Sequence, residues 1–170
     1  MNSWPLIIIQ ARLSSQRLPG KMLMPLAGKS MLSHVFERLE TVRNCAGVVV
    51  ATSDADSDDP IQKHCQKLGY PVFRGSLCDV VSRYATVLQD VGAPSFVRIS
   101  GDSPLINPQL VSDCIDIFQA SNVDIVSNIV QRSFPKGQSV EVIKSGSFLD
   151  AIPRILSSDD REHVTPYFYK

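Results

Sequence analysis

The chain has 170 residues, of which 17 are basic and 17 are acidic, so its formal net charge at pH 7 is zero. Apolar residues make up 44% of the sequence and charged residues 20%, which is typical of globular proteins and excludes a disordered or fibrous chain. The length predicts a single domain over residues 1–170. A neutral chain is not expected to bind nucleic acid or an anionic membrane, because both require a surplus of basic residues.

No stretch of the sequence has the length of a membrane span. Unbroken apolar runs such as residues 6–9 are far shorter than the roughly 20 residues needed to cross a bilayer. The N-terminus lacks a basic segment followed by an apolar one, so no secretory signal is expected and a cytoplasmic location is predicted. The four cysteines form no Cys-x-x-Cys pair and are predicted to be reduced, buried thiols.

Strand-like and helical patterns alternate along the chain. In chain order, strands are predicted at residues 6–10, 47–52, 96–100 and 123–127, with a further candidate at 140–143. Apolar residues recur at helical spacing over residues 32–42 and 80–91. Helix starts are predicted at Asp59-Pro60 and Asn107-Pro108, and a last helix begins near Ser145 and is bent or ended by Pro153. The alternation predicts a three-layer α/β fold around a mostly parallel sheet, with ligands bound beyond the carboxyl ends of the strands.

Several common nucleotide and hydrolase motifs are absent. No two of the nine glycines are separated by a single residue, which excludes the GxGxxG dinucleotide fingerprint. Gly28-Lys29-Ser30 matches the end of a phosphate-binding P-loop, but Leu23 stands where that motif requires its first glycine. The sequence contains neither a GxSxG elbow nor a HExxH zinc motif.

The first predicted strand leads into a cationic loop. Four basic residues and no acidic ones lie between Arg12 and Lys29, namely Arg12, Arg17, Lys21 and Lys29. Small residues in such a loop allow the backbone to approach a polyphosphate, and the cations offset its charge. Composition alone supports a polyphosphate site and a solvated basic loop about equally.

Ordered blocks along the chain resemble a known family. They include Gln10-Ala11-Arg12-x-x-Ser15-x-Arg17-Leu18-Pro19-Gly20-Lys21, Val97-Arg98-Ile99-Ser100-Gly101-Asp102-Ser103-Pro104 and Arg161-Glu162-His163-Val164-Thr165-Pro166-Tyr167. The sequence resembles the cytidylyltransferases that form CMP-sugars. The match is closest to their spore-coat polysaccharide (SpsF-like) branch, which is related to the CMP-KDO and acylneuraminate cytidylyltransferases.

The resemblance implies a Rossmann-like, glycosyltransferase-A-like nucleotidyltransferase fold and a reaction that uses CTP and Mg²⁺. A hydroxyl of a sugar or sugar acid would attack the α-phosphorus of CTP, and pyrophosphate would leave. By similarity, the triphosphate is lined by Arg12, Ser15, Arg17 and Lys21. The resemblance also places the Gln10-Ala11 backbone and an Ala51-Thr52-Ser53 loop beside the cytosine and ribose, and it implies a homodimer.

Three further residues complete the predicted site. Asp102 directly follows a predicted strand and is assigned as the Mg²⁺ ligand and, with Arg17 and Lys21, as catalytic. Without the resemblance, a turn or cap would be the commoner role for this aspartate. Arg132 and Lys136 are candidates for binding the carboxylate of the acceptor, although exposed loop cations are usually only solvated.

The roles of several other charged residues stay open at this point. Asp79 is expected to cap a helix and Arg83 to pair with it, although Arg83 is also placed to contact the nucleotide. Glu141 is predicted to be either a metal or sugar ligand or an exposed strand residue, and Glu162 and His163 have no assigned role. The acidic stretch Asp54, Asp56, Asp58 and Asp59 is expected to be a solvated helix start.

Members of the family usually continue beyond the His-Val-Thr-Pro-Tyr block, into a segment that supplies a further metal carboxylate and part of the dimer contact. The chain is therefore expected to lack that segment, which leaves two functions open. One is a CMP-transferring enzyme. The other is a non-catalytic nucleotide-binding module, or a fragment that works only with a partner or with its missing segment.

Overall fold

The computed structural model describes residues 3–170 and contains one large sheet and one small one. The strands are β1 (Leu6–Gln10), β2 (Pro25–Leu26), β3 (Lys29–Ser30), β4 (Gly47–Ser53), β5 (Val72–Gly75), β6 (Ser95–Ser100), β7 (Ile125–Ser127) and β8 (Glu141–Lys144). The α-helices are α1 (Met31–Leu39), α2 (Asp59–Leu68), α3 (Val80–Val91), α4 (Pro108–Ala120), α5 (Ser145–Ala151) and α6 (Ser158–His163). Short 3-10 turns lie at Lys21–Leu23, Asp56–Asp58, Ile152–Arg154 and Pro166–Tyr169.

The six-stranded sheet has the order β5-β4-β1-β6-β8-β7, and β8 runs in the direction opposite to the other five strands. The chain first extends the sheet from β1 through β4 to β5 and then returns to the other side of β1 with β6. The connection that follows β1 therefore runs towards one edge of the sheet, and the connection that follows β6 runs towards the other edge. Such a reversal opens a crevice at the carboxyl ends of the two strands, where ligands bind in open α/β sheets.

Helices cover both faces of the sheet, which produces two apolar cores. Alternate residues of β1 divide between them, since Ile7 and Ile9 pack towards α1, α2 and α4, whereas Leu6 and Ile8 pack towards α3 and α5. Burial on both faces explains the nearly continuous apolar strands. The prediction of a three-layer, mostly parallel α/β fold is confirmed.

The C-terminal part of the chain packs into the second core. Ring contacts connect Tyr84 of α3 to Phe96 of β6 at 5.5 Å, Phe96 to Phe148 of α5 at 5.1 Å, and Phe148 to Phe168 at 6.1 Å. Offset and edge-to-face aromatic pairs of this kind add to the energy of apolar burial. The packing holds the last turn of the chain against the sheet and brings α6 to the ligand-binding edge.

Helix starts follow the capping pattern with one correction. The side chains of Asp79 and Asn107 accept hydrogen bonds from the backbone at the starts of α3 and α4, as predicted. At α2 the prediction is wrong by one residue, because Asp58 occupies the cap position and Asp59 is already helical. The carboxylate of Asp59 instead binds Arg74 at 2.6 Å, so it does not cap the backbone of α2.

Four strands and helices were not predicted from the sequence, namely β2, β3, β5 and α6. Strands β2 and β3 have two residues each, β5 has four, and helix α6 has six residues, all of them polar. Elements this short carry too few residues for a hydrophobic period to appear. Within residues 3–170, no helix has the length and apolar character needed to cross a membrane.

Two arginines on neighbouring elements have opposite environments. Arg74 of β5 donates to Ser53 O at 2.9 Å, Asp59 Oδ1 at 2.6 Å, Gln62 Oε1 at 2.8 Å and Ala55 O at 2.9 Å. Arg83 of α3 is 2% exposed, and its three guanidinium nitrogens have no hydrogen-bond partner among the described residues. The predicted pairing of Arg83 with Asp79 is therefore wrong, since the Asp79 carboxylate binds Arg161 at 2.5 Å.

This contrast predicts different stability effects for the same substitution. We expect Arg74→Met to lower the free energy of unfolding by about 2 kcal/mol, because it leaves four partly buried acceptors without their donor. Arg83→Met is expected to leave it unchanged or to raise it by about 1–2 kcal/mol, because a desolvated unpaired charge is replaced by an apolar side chain of similar length. Urea unfolding of the two variants measures the difference. Equal losses of unfolding free energy in the two variants would contradict the assignment of Arg83 as unpaired.

Candidate active site

A polar cavity of about 610 Å³ opens at the carboxyl ends of β1 and β6. It is bounded by the loop that follows β1, by the ends of both strands and by α6. Its lining residues are Gln10, Arg12, Ser15, Gln16, Arg17, Lys21, Met22, Arg98, Ser100, Asp102, Glu162 and His163. The cavity lies at the crevice that the strand order creates, and all four predicted triphosphate-binding residues line it.

The loop after β1 is closed on itself by one carbonyl group. The oxygen of Leu13 accepts hydrogen bonds from the backbone N–H groups of Ser15 and Gly20, each at 2.9 Å. Gly20 adopts a left-handed conformation with φ of 75°, which costs glycine little and other residues more. This closure directs the segment carrying Ser15 and Arg17 over the cavity and delivers Lys21 to its floor. We call residues 12–21 the cation loop.

Gly101 allows the two strand ends to meet. Its N–H donates to Gln10 O at 2.9 Å, and a Cβ atom at this position would lie 3.1 Å from Gln10 O, 3.2 Å from Ala11 Cβ and 3.2 Å from Met22 Sδ. These distances are tighter than ordinary van der Waals contacts, and the nearest atom belongs to backbone that cannot easily move. A side chain at this position would force its neighbours to shift by a few tenths of an ångström, so glycine suits the point where Asp102 is brought beside the cation loop.

The cations of the cavity differ in how they are neutralised. Arg12 binds Glu162 at 2.7 Å, and this contact holds the pKa of Glu162 below its usual range. Lys21 binds Asp102, and Arg98 binds Glu141 at 2.6 Å. Among the described residues, Arg17 has no ion-pair or hydrogen-bond partner. Arg17 is thus the cavity cation most available to an anionic ligand.

Asp102 is held as a charged carboxylate. Burial by itself would raise the pKa of Asp102, but the hydrogen bonds from Lys21 and from Ser100 Oγ at 2.6 Å outweigh burial and lower it below 3.8. The carboxylate therefore remains ionised throughout the neutral range. An ionised oxygen donor at the floor of the cavity is the group that a hard divalent cation requires.

A buried polar network supports the opposite wall. The carboxylate of Glu141 is fully buried and accepts from Arg98 at 2.6 Å and from the Tyr169 hydroxyl at 2.6 Å, and Arg98 also reaches Gln10 Oε1 at 3.4 Å. The prediction of Glu141 as an exposed strand residue is wrong, because β8 lies between β6 and β7 inside the sheet. Sequence reasoning also missed Arg98, although its place two residues before the end of a predicted strand was a usable signal.

A second cavity of about 410 Å³ adjoins the first. It is lined by Ser100, Asp102, Ser103, Arg132, Lys136, Gly137 and Ser139, so the two cavities share Ser100 and Asp102. The loop that carries Arg132 and Lys136 is anchored at its ends, where Asn128 Nδ2 donates to Gln138 O at 2.7 Å and Val140 N donates to Asn128 Oδ1 at 2.9 Å. Both predicted acceptor-binding cations, Arg132 and Lys136, thus line a cavity that Asp102 also lines.

Four predicted nucleotide-binding residues lie outside the cavity lining. Ala51, Thr52 and Ser53 belong to strand β4 rather than to a loop and are fully buried, and Ala11 is 1% exposed. Their side chains are enclosed because β4 pairs with a strand on each side. Ala11 instead donates its backbone N–H to Ala51 O at 3.2 Å, which joins β1 to β4 beyond the last paired residues.

The acidic stretch after β4 is not uniformly solvated. Asp58 is fully buried and accepts hydrogen bonds from Leu13 N at 2.7 Å, from Ser53 N at 3.3 Å and from Ser53 Oγ. The prediction of a solvated helix start is therefore wrong for Asp58, because the 3-10 turn Asp56–Asp58 folds this side chain back under the cation loop. The sequence offers no sign of which aspartate in the stretch turns inward.

Known proteins are similar to this chain over most of its length. A family model described as Cytidylyltransferase matches residues 6–170. The spore coat polysaccharide biosynthesis protein SpsF of Bacillus subtilis is 36% identical over 170 residues, which cover 95% of this chain and 68% of that protein. A 3-deoxy-manno-octulosonate cytidylyltransferase of Geobacter sulfurreducens is 39% identical over 110 residues, covering 64% of this chain and 42% of that enzyme.

The fold comparison extends over nearly the whole chain. A solved cytidylyltransferase structure from Leptospira borgpetersenii superposes with a TM-score of 0.92 at 31% identity, covering 96% of this chain and 70% of that one. The chain thus spans about two thirds of the Bacillus and Leptospira proteins and less than half of the Geobacter enzyme.

The contact between Lys21 and Asp102 predicts a shift in acidity. In Lys21→Met the strongest group lowering the pKa of Asp102 is lost while burial remains, so we expect that pKa to rise from its lowered value, measured by carboxyl carbon NMR. The native pair stabilises the fold above pH 3.8, and this contribution is lost as the pH falls through the lower folded-state pKa. Lys29→Met, which breaks only an exposed pair with Glu37, is the control. An unmoved Asp102 titration would refute the assignment.

Proposed function

Since the chain belongs to the cytidylyltransferase family, we propose that it transfers CMP from CTP to a hydroxyl group of a sugar or sugar acid and releases pyrophosphate. The observation that carries the proposal is that two cavities meet at one carboxylate, Asp102. A group-transfer enzyme must place two substrates side by side at the reacting atom. The cation loop serves the triphosphate of one substrate, and the second cavity serves the acceptor.

The cation loop is suited to a triphosphate. Arg17 presents an unpaired guanidinium, and Arg12 and Lys21 each hold a carboxylate that phosphate oxygens would replace as partners. Charge-assisted hydrogen bonds from arginine to phosphate are among the strongest in proteins. Because the charge on the bridging and leaving oxygens grows as pyrophosphate departs, Arg17 and Lys21 are placed to stabilise the transition state.

We propose Mg²⁺ as the cofactor and Asp102 as its protein ligand. No group of three or more His, Cys, Asp or Glu side chains in residues 3–170 is arranged to hold a metal by itself. Mg²⁺ commonly binds through one or two carboxylates together with substrate phosphates and water, which fits a site with one ionised carboxylate beside a triphosphate pocket. When bound there, Mg²⁺ would neutralise phosphate charge and orient the triphosphate.

The chain's own residues supply positioning and electrostatics. Gln10, held by Arg98, and the buried Glu141 network keep the wall of the first cavity rigid. Ser100 donates to Asp102 and thereby fixes which carboxylate oxygen faces Lys21. With both substrates held at Asp102, attack by the acceptor hydroxyl becomes an intramolecular step, and this accounts for much of the rate acceleration in such reactions.

The first test measures CTP binding and pyrophosphate release by the 170-residue chain. We expect calorimetry to give Mg²⁺-dependent binding of CTP in preference to UTP, ATP and GTP, and Arg17→Ala to reduce kcat/KM by about 100-fold, as is typical for loss of one preorganised charge donor. Asp102→Asn is expected to abolish the Mg²⁺ dependence, because the ionised ligand is lost.

Lys63→Ala, which changes a lysine of α2 outside the cavity lining, is the control for loss of positive charge. Selective CTP binding without turnover with any of a panel of sugar acids would favour the second function, a nucleotide-binding module that works with a partner or a longer chain. Absence of CTP binding would overturn the proposal for this chain.

The second cavity predicts the charge of the acceptor. Arg132 and Lys136 have no ion-pair partner among residues 3–170, so an acceptor bearing a carboxylate is favoured. We expect Arg132→Ala and Lys136→Ala to raise the KM for a sugar acid about tenfold each, while the KM for CTP stays constant. Steady-state kinetics with both substrates varied provides the measurement. A rise in the KM for CTP would assign these residues to the nucleotide instead.

A further inference from the structure

Asp58 is a buried carboxylate that touches the cation loop from below. It is fully excluded from solvent, yet it lies outside the lining of both cavities. One oxygen, Oδ1, accepts the backbone N–H of Leu13 at 2.7 Å. The other, Oδ2, accepts the backbone N–H of Ser53 at 3.3 Å and the Ser53 hydroxyl. A single side chain therefore joins the segments that follow β1 and β4.

Leu13 is the residue on which the cation loop closes. Its N–H binds Asp58, while its carbonyl accepts from Ser15 and Gly20. The two ends of the loop thus meet at one peptide group, and that group is fastened to the protein by Asp58. The Leu13 side chain also packs against the first apolar core. In the described chain the cation loop makes two other side-chain hydrogen bonds to distant segments, Arg12 with Glu162 and Lys21 with Asp102, and both involve cations that a phosphate ligand would engage.

The buried position of Asp58 gives this contact its strength. A carboxylate removed from water is tolerated when its oxygens are occupied by donors, and here three donors occupy them. The anchor on Leu13 therefore persists when Arg12 and Lys21 exchange their carboxylate partners for phosphate.

We propose that Asp58 is a positioning residue for the triphosphate, acting through the Leu13 peptide group to hold the cation loop in its binding geometry. This inference rests on the proposed function for the identity of the ligand, but the anchoring itself does not. Asp58 contacts no cavity and takes no direct part in chemistry. Its removal should loosen residues 12–21 before it affects the rest of the fold.

Amide hydrogen exchange tests the anchoring without any ligand. In the unaltered chain, the Leu13 amide should be protected to the level of the β1 amides. In Asp58→Asn, which keeps the size of the side chain but turns a donor towards one of its partners, the amides of Leu13, Ser15 and Gly20 should exchange on the order of ten to a hundred times faster. Ser53→Ala removes another donor to the same carboxylate but leaves the Leu13 contact intact. It should therefore not accelerate hydrogen exchange at these amides.

Binding of inorganic tripolyphosphate, measured by calorimetry, connects the anchor to the ligand. Asp58→Asn should weaken it at least tenfold, whereas Asp56→Asn, an exposed neighbour with the same charge change, should not. In the Arg17→Ala background the effect of Asp58→Asn should shrink, because the cation that the anchor positions is gone.

The outcomes separate the two proposals. Unprotected exchange of Leu13 in the unaltered chain, a measurement that needs no variant to fold, would overturn the role of Asp58 whatever the ligand. Equal acceleration in Ser53→Ala would also overturn it, since the effect would then be general to the end of β4. Normal protection of Leu13 together with absent tripolyphosphate and CTP binding would leave the anchor intact and would count against the proposed function.

Discussion

The site depends on the pairing of β1 with two parallel neighbours. Backbone hydrogen bonds to β4 on one side and β6 on the other align the carboxyl ends of all three strands. The chain reverses its direction of sheet growth at this point, and the crevice between the connections becomes the cavity. Gly101 lets the end of β6 close onto Gln10, so Asp102 reaches the cation loop. Every polar contact of the site presupposes this backbone arrangement.

The charges of the cavity are paired in a way that a ligand can exchange. Arg12 and Lys21 hold Glu162 and Asp102, and Arg17 is unpaired in the described chain. A cavity with several unpaired cations would be destabilised by their mutual repulsion, and the carboxylates relieve it. Phosphate oxygens offer the arginine and lysine equivalent partners, and Asp102 is then available to a divalent cation. The ion pairs thus keep the site assembled and charged.

Beneath the exchangeable contacts lies a layer of buried carboxylates that ligands do not reach. Asp58 fastens the cation loop, and Glu141 fastens Arg98 and Tyr169. At the other side, Asp79, which is only partly buried, caps α3 and binds Arg161, which holds α6 against α3. Buried carboxylates with all oxygens bonded hold their neighbours in one geometry. Such anchors join segments far apart in the sequence at the edge where the ligand binds.

Local patterns in the sequence determined β1, the helix at 80–91, the start of the helix at residue 108 and the cationic character of the loop after β1, because period, capping residues and charge runs are properties of neighbouring residues. Contacts between distant residues were decided only by the tertiary structure. Asp58 faces inward, Asp79 binds Arg161 instead of Arg83, and Glu141 is buried with Arg98. Each outcome depends on which strands are adjacent and on how far a turn rotates a side chain. Patterns among neighbouring residues predict neither of these.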